Sequence, residues 1–300
     1  MSKIFEALQK NEGEAASYSL PLIASNAGSV SVEESVAAIP VEEPPAAGPG
    51  PEPEAAEEST SSGANAGVRV VVIRPAAKAP LLPFDGAHPE VSEQYRIIRT
   101  RITQHPVQPR MVVVSSAGTG EGKTVSSINI AGALALKHDS SVLLLDADLR
   151  RSSIAGMLGL PSANVGLTEV LSKTANLDDA IVRVEQIPNL YVLPAGKAMN
   201  NPAELLDSPN WRSVCMELRK HFKYIVVDAP PMVGVADYDL IQVMCDGVVV
   251  VVRPDLSNRS SCFAALDSIP REKFIGVLMN CVEDWFLWKP ADHQPYYHYE

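Results

Sequence analysis

The chain has no apolar run approaching the ~20 residues that a membrane-spanning helix needs, so no transmembrane span is expected. Its opening, Met1-Ser2-Lys3, leads into mixed polar sequence and does not read as a signal peptide. Cysteine is scarce and scattered: Cys215, Cys245, Cys262 and Cys281 form no C-x-x-C pair. Each sits in an apolar pattern, which predicts reduced, buried thiols in a cytoplasmic protein and argues against a disulfide framework or an iron–sulfur site. Lys and Arg are absent between Asn11 and Ala66, a stretch that holds ten Glu. The formal net charge of −11 is therefore a local property, and the rest of the chain is close to neutral. That balance excludes a nucleic-acid binder working by bulk charge.

What is present divides the chain into four parts. Residues 1–12 read as a short amphipathic helix, with Ser2 as a cap and Ile4, Phe5 and Leu8 on one face. Residues 13–84 form an acidic linker rich in Pro, Ala and Glu, with Pro40, Pro44, Pro45, Pro49, Pro51 and Pro53 crowded together. Such composition buries too little apolar surface to offset the entropy of ordering, so disorder is expected there. Within it, Val68–Ile73 is a brief β-like run whose partner the sequence does not name. Residues 85–284 carry alternating strand and helix patterns, and residues 285–300 form a tail ending Pro-Tyr-Tyr-His-Tyr-Glu.

The stretch Arg110 to Thr124 organises the rest. A short β-branched run leads into Ala117-Gly118-Thr119-Gly120-Glu121-Gly122-Lys123-Thr124, which opens a helical pattern. Glycines there let successive backbone N–H groups curl toward an anion, and the following helix adds its free N-terminal donors. Lys123 brings a full charge to the β- and γ-phosphates, and the Thr124 hydroxyl can take one Mg²⁺ position. The first position of the usual G-x-x-x-x-G-K-[ST] is Ala117 here. Residues 117–124 are thus a nucleotide-phosphate site.

Two further runs end in acids. Ser141–Asp148 reads as a buried strand ending in Asp146 and Asp148, and Tyr224–Pro231 as another ending in Asp228. Carboxylates at the carboxyl ends of parallel strands face the crevice where open α/β sheets bind ligands. Asp146, Asp148 and Arg150 alternate along the chain, so all three can point to one side. Asn189–Leu193, Val248–Val252 and Phe274–Met279 supply three more strands, whereas residues 152–184 carry helical patterns only. The expected fold class is α/β: a P-loop NTPase with a doubly wound, mostly parallel sheet, a disordered acidic N-terminal extension and a flexible C-terminal tail. Upstream, Glu93, Arg96 and Arg99 share one side of a helix beginning near Pro89, either as an exposed ion-pair face or as a subunit interface.

The set Ala117-x-x-x-x-Gly122-Lys123-Thr124, then Leu-Leu-Leu-Asp146-x-Asp148-x-Arg150, then Ile-Val-Val-Asp228-x-Pro-Pro resembles the bacterial protein-tyrosine kinases of polysaccharide synthesis. In that family the three are called Walker A, A′ and B. Glu93-x-x-Arg96-x-x-Arg99 looks like its ring-forming interface motif, and Asn201-Pro202-x-Glu204-Leu205-Leu206 also matches. The opening Met-Ser-Lys-Ile-Phe-Glu-Ala-Leu is similar to exosortase-associated tyrosine autokinases. The resemblance covers roughly residues 80–300. It implies ATP and Mg²⁺ as cofactors, with Lys123, Asp146, Asp148 and Asp228 catalytic. Thr124, Asp146 and Asp228 would organise the metal, and Tyr296, Tyr297 and Tyr299 would accept phosphate. A tyrosine hydroxyl, with pKa about 10, needs a carboxylate or metal to become nucleophilic at neutral pH; Asp146 is favoured for that task over Asp148. The resemblance further implies a homo-oligomeric ring and recruitment to the inner face of the cytoplasmic membrane by a polysaccharide chain-length partner.

Other readings of the phosphate loop are a partition- or septum-type positioning ATPase and a non-catalytic ATP-binding regulator. The former usually carries a second lysine early in the loop, where this chain has Gly118, and a basic membrane helix at its end, where only Lys289 follows Lys273. Both features favour the kinase.

Overall fold

A computed structural model describes residues 22–25, 68–75, 81–82, 89–160 and 165–282. The helix expected over 2–12, most of the acidic linker and the tail tyrosines Tyr296, Tyr297 and Tyr299 lie outside the described residues.

Among the described residues nine strands form one sheet: β1 Leu22–Ser25, β2 Arg69–Val71, β3 Met111–Ser116, β4 Val142–Asp146, β5 Val182–Val184, β6 Leu190–Leu193, β7 Tyr224–Asp228, β8 Gly247–Val252 and β9 Phe274–Asn280. Their order across the sheet is β1-β9-β8-β3-β7-β4-β6-β5-β2. Every pairing is parallel except β5 with β6. The central strands explain this architecture. β3 (MVVVSS) and β8 (GVVVVV) are apolar on consecutive residues and buried throughout, as strands covered on both faces must be.

Alternate residues feed two cores. Met111, Val113, Leu143, Leu145, Ile225 and Val227 pack on one face, with Trp211, Val214 and Leu218 of the Pro209–His221 helix and Tyr238 and Ile241 of the Asp237–Val243 helix. Val112, Val114, Leu144 and Val226 face the other way, toward Ile128 and Leu134 of the Lys123–Ala135 helix and Tyr95, Ile98 and Ile102 of the Pro89–Thr103 helix. The Pro209–His221 helix opens with Pro at its first position and ends in Arg219, Lys220 and His221, an order suited to both its free N–H groups and its dipole.

Several features were not foreseen. Residues 182–184, read as helical, form β5, an antiparallel neighbour of β6; three residues are too short to establish a period of two. The Val68–Ile73 run acquires a partner, since β2 pairs with β5. Both outermost strands, β1 and β2, come from the segment read as a linker. Of the four thiols, Cys215 and Cys245 are buried, but Cys262 and Cys281 are only half-buried. The latter two sit where elements meet solvent, on the first turn of a short helix and just past the end of β9.

Strand order places the site. β3 lies between β8 and β7, and β4 lies beyond β7, so the chain crosses over between leaving β3 and entering β4. The crevice at such a reversal opens at the carboxyl ends of the strands. The opposite end of β3 is clamped. Asp246 Oδ2 accepts the backbone N–H of Arg110 and of Met111, both at 2.9 Å. Its two oxygens also take the Arg219 guanidinium as a fork, each at 2.9 Å.

Candidate active site

Three strand ends converge. The phosphate loop follows β3, and Asp228 ends β7 beside it in the sheet. Asp146 ends β4 and stands opposite Asp228 in the β4–β7 register. The loop itself has the backbone that its glycines were expected to allow. Gly120 and Gly122 have φ of 79° and 91°, and Gly122 is the N-cap of the Lys123–Ala135 helix. A side chain at Gly122 would meet the Asn280 amide as well as an unfavourable φ. Among residues 117–124, Thr119 and Gly120 are exposed, Gly118, Gly122 and Lys123 are half-buried, and Ala117, Glu121 and Thr124 are buried.

The charged groups meet at the helix start. Lys123 Nζ lies 3.2 Å from Asp148 Oδ2 and 3.5 Å from the Thr124 hydroxyl. Thr124 Oγ1 in turn takes a hydrogen bond from the Ser153 hydroxyl at 3.2 Å. Asp228 Oδ1 accepts the Ser127 hydroxyl at 3.0 Å, while its Oδ2 is buried without a protein partner. Asp146 is fully buried: Oδ1 accepts the Asp148 N–H at 3.2 Å, and Oδ2 accepts the N–H groups of Ser153 and Ile154 at 3.3 Å. Asp148 Oδ1 accepts the Arg151 N–H at 3.0 Å.

Burial raises the Asp146 carboxyl above the ordinary range, and the neighbouring Asp228 raises it further, against the N–H groups of Ile154 and Ser153. Burial also raises Asp228, opposed by Lys123, Thr124 and Ser127. Two buried acids facing each other are a site short of positive charge. A divalent cation would supply it. Asp228 Oδ2, an orphaned buried oxygen, fits as one of its ligands, with the Thr124 hydroxyl close by. Among the described residues no group of three or more His, Cys, Asp or Glu side chains forms a metal cage. The residues therefore fit a nucleotide-bound Mg²⁺.

Arg150 is near enough to Asp148 for that carboxylate to favour its charge, and its main partner is Asp237. Its guanidinium forks onto Asp237 at 2.5 and 3.0 Å and donates to the Asn200 carbonyl at 3.1 Å. It thus ties the loop after β4 to two other segments. Arg99 also turns inward, donating to the Ala133 carbonyl at 3.3 Å, while Glu93 and Arg96 form an exposed ion pair at 3.1 Å. Sequence reasoning missed Ser127, Asp237 and Asn280. Ser127 lies one helical turn past Lys123, and Asn280 is a polar residue closing a buried strand, the same signal that marked the acids. Asp237, at the start of a helix, carries no such signal.

Comparison with known proteins agrees with this geometry. The AAA domain family matches residues 109–261. The tyrosine-protein kinase CpsD of Streptococcus pneumoniae serotype 4 is 34% identical over 193 residues, covering 64% of this chain and 84% of that protein. The tyrosine-protein kinase YwqD of Bacillus subtilis is 34% identical over 193 residues, covering 63% of this chain and 80% of its own. The crystal structure of the chimerical protein CapA2B2 superposes with a TM-score of 0.63 at 28% identity, covering 67% of this chain and 89% of that one. The VpsO kinase domain superposes at 0.56 with 28% identity, covering 64% and 96%.

Proposed function

The chain belongs to the tyrosine-protein kinase family that includes CpsD and YwqD, and from that premise we propose that it is an ATP- and Mg²⁺-dependent autokinase whose acceptors are its own C-terminal tyrosines. One observation carries the reading. Lys123, Asp148, Asp146 and Asp228, from three separate motifs, gather at adjacent strand ends in a single cleft.

Residues 117–124 would bind the nucleotide phosphates, with Lys123 as the charge clamp. Thr124, Asp228 and Asp146 would hold Mg²⁺, which supplies charge neutralisation on the transferred phosphoryl group. The Lys123–Asp148 pair gives the chain a starting state. When phosphate draws Lys123 away, Asp148 is left with a free oxygen. Asp146 is bound through both oxygens to its own loop, which suits a fixed metal-side acid. This favours Asp148 for the tyrosine proton, the reverse of the sequence expectation. Tyr296, Tyr297 and Tyr299 would reach a neighbouring subunit's cleft, and phosphorylation there would add negative charge to the assembly.

Assembly is proposed to be a homo-oligomeric ring through the Pro89–Thr103 helix, supported by the exposed Glu93–Arg96 pair. No helix among the described residues is long and apolar enough to cross a membrane. We therefore propose recruitment from the cytoplasm to the membrane by a polysaccharide chain-length protein, with exopolysaccharide assembly as the regulated process. Residues 1–12 are proposed as the recruiting helix, 13–84 as a linker that carries the edge strands β1 and β2, 85–284 as the kinase domain and 285–300 as the substrate tail.

The deciding experiment is mass spectrometry of the C-terminal peptide after incubation with ATP and Mg²⁺, beside Lys123→Ala. Phosphate on Tyr296, Tyr297 or Tyr299 that the variant lacks is the expected result. ATP hydrolysis with a bare tail, even after adding the partner's cytoplasmic segment, would overturn the autokinase reading.

A further inference from the structure

Glu121 sits inside the phosphate loop, yet its side chain does not face the crevice. It is 2% exposed, while Thr119 and Gly120 just before it are exposed. Its carboxylate folds back beneath the loop, where Oε1 accepts the Gly118 N–H at 3.2 Å. Ala117 N–H and the Ser257 hydroxyl also stabilise it. The Glu121 carbonyl accepts the Asn280 side-chain amide at 3.1 Å, a buried bond reaching from the end of β9. Asn280 is 4% exposed and lies against Gly122, where any side chain would collide with it. The loop is therefore gripped at three points: Gly118 by the Glu121 side chain, Glu121 by Asn280, and Gly122 by contact with Asn280.

A bare acid under a polyphosphate site would repel its ligand. Two features of the site remove that conflict. Burial pushes the Glu121 carboxyl upward, against its hydrogen bonds, and favours the neutral form. One oxygen, Oε1, is also engaged by the loop's own Gly118 N–H, while Oε2 is buried without a protein partner. Its role is thus one of shape: a curl of N–H groups set before the ligand arrives binds an anion without the cost of ordering itself.

We propose that Glu121 and Asn280 are positioning residues that hold the phosphate loop in its binding shape from below, touching neither nucleotide nor tyrosine. The proposal rests on residues 117–124 being the nucleotide-phosphate site.

The test uses the full chain and two probes, ADP and inorganic pyrophosphate, each with Mg²⁺. Pyrophosphate has no base, so any effect on it reports the loop alone. Glu121→Ala and Asn280→Ala should each weaken pyrophosphate and ADP by about tenfold. Glu121→Gln keeps an acceptor for Gly118 and should stay within about threefold of the unaltered protein. In kinetics, the KM for ATP should rise about tenfold with kcat at saturating ATP within about threefold, the pattern of lost uniform binding. Lys123→Ala runs beside them. Lys123→Ala weak but Glu121→Ala and Asn280→Ala binding pyrophosphate normally overturns the proposal alone. Lys123→Ala also binding normally overturns the phosphate-site reading beneath it. Lower kcat with unchanged KM in Glu121→Ala would assign the residue to chemistry and overturn a positioning role. Should Glu121→Ala fail to fold, Asn280→Ala and Glu121→Gln carry the same comparison.

Discussion

Asp146 and Asp228 end neighbouring parallel strands at the same register level, and both are completely buried. Each raises the cost of ionising the site, and the stability of the nucleotide-free protein should record it. A carboxyl raised on folding contributes stability below its unfolded value, near 3.8, that is lost as pH climbs through its folded value, about 8 for Asp146. The melting temperature without ligand should fall from about pH 5 to about pH 8. Asp146→Asn should flatten that slope, and Mg²⁺ with nucleotide should reduce it, because a bound cation favours the charged form. Differential scanning fluorimetry across pH checks all three.

Asp246 behaves oppositely. Burial raises it, but the Arg219 fork and the N–H groups of Met111 and Arg110 outweigh burial and hold its carboxyl below the ordinary range. Its contribution is present above the ordinary value of 3.8 and disappears as pH falls through the lowered one. Asp246→Ala should cost about 2–3 kcal/mol at neutral pH, measured by urea unfolding. It should also remove part of the acid-side loss of stability.

The Arg150–Asp237 fork joins a half-exposed guanidinium to a carboxylate that is 2% exposed. Arg150→Ala leaves that carboxylate buried and unpaired, and should cost about 1–3 kcal/mol after allowance for solvent on the arginine side. The double variant Arg150→Ala/Asp237→Ala should be less destabilised than the two single losses summed, because the second change removes the orphan created by the first. Denaturant midpoints of the four proteins give the coupling directly.

Gly122 and Gly234 share a φ of 91° but differ in surroundings. Nothing lies within 4 Å of a side chain added at Gly234, whereas Asn280 fills that space at Gly122. Gly234→Ala should cost only the backbone strain, about 1–2 kcal/mol. Gly122→Ala should cost more and abolish the rise in melting temperature expected on adding ADP with Mg²⁺.

The ring reading predicts its own measurement. Arg96→Ala with Arg99→Ala should lower the oligomer mass seen by light scattering. Arg99 also closes the end of the phosphate-loop helix through the Ala133 carbonyl. Arg96→Ala alone, which disturbs only the exposed pair, separates assembly from helix stability.

How much of this was legible beforehand follows from which signals are local. β3, β4, β7, β8 and β9 are unbroken apolar runs, and a buried parallel sheet is the state that such runs favour. The phosphate loop and the acid-ended strands were readable because glycine spacing and strand-terminal carboxylates are written within a few residues. Contacts between distant segments were not. Nothing near Arg150 announces Asp237, and nothing near Glu121 announces Asn280, since each pair forms only when the strands are ordered. Alternation allowed Asp146, Asp148 and Arg150 to share a side; the strand ends at Asp146, and Arg150 is fixed by Asp237 while Asp148 still favours its charge. Glu93 and Arg96 pair on the exposed side of their helix, and the sequence did not reveal that Arg99 turns toward the domain's own helix.

The outermost strands have a consequence for how this domain stays apart from its copies. β1 borders β9 and β2 borders β5, so residues preceding the kinase domain cover both ends of the sheet. A chain trimmed back to residue 85 would expose the backbone of β9 and of β5 to any extended peptide nearby. The segment ahead of the catalytic region therefore serves as a pair of selvedges, finishing the woven sheet so that it does not join edge-on to another.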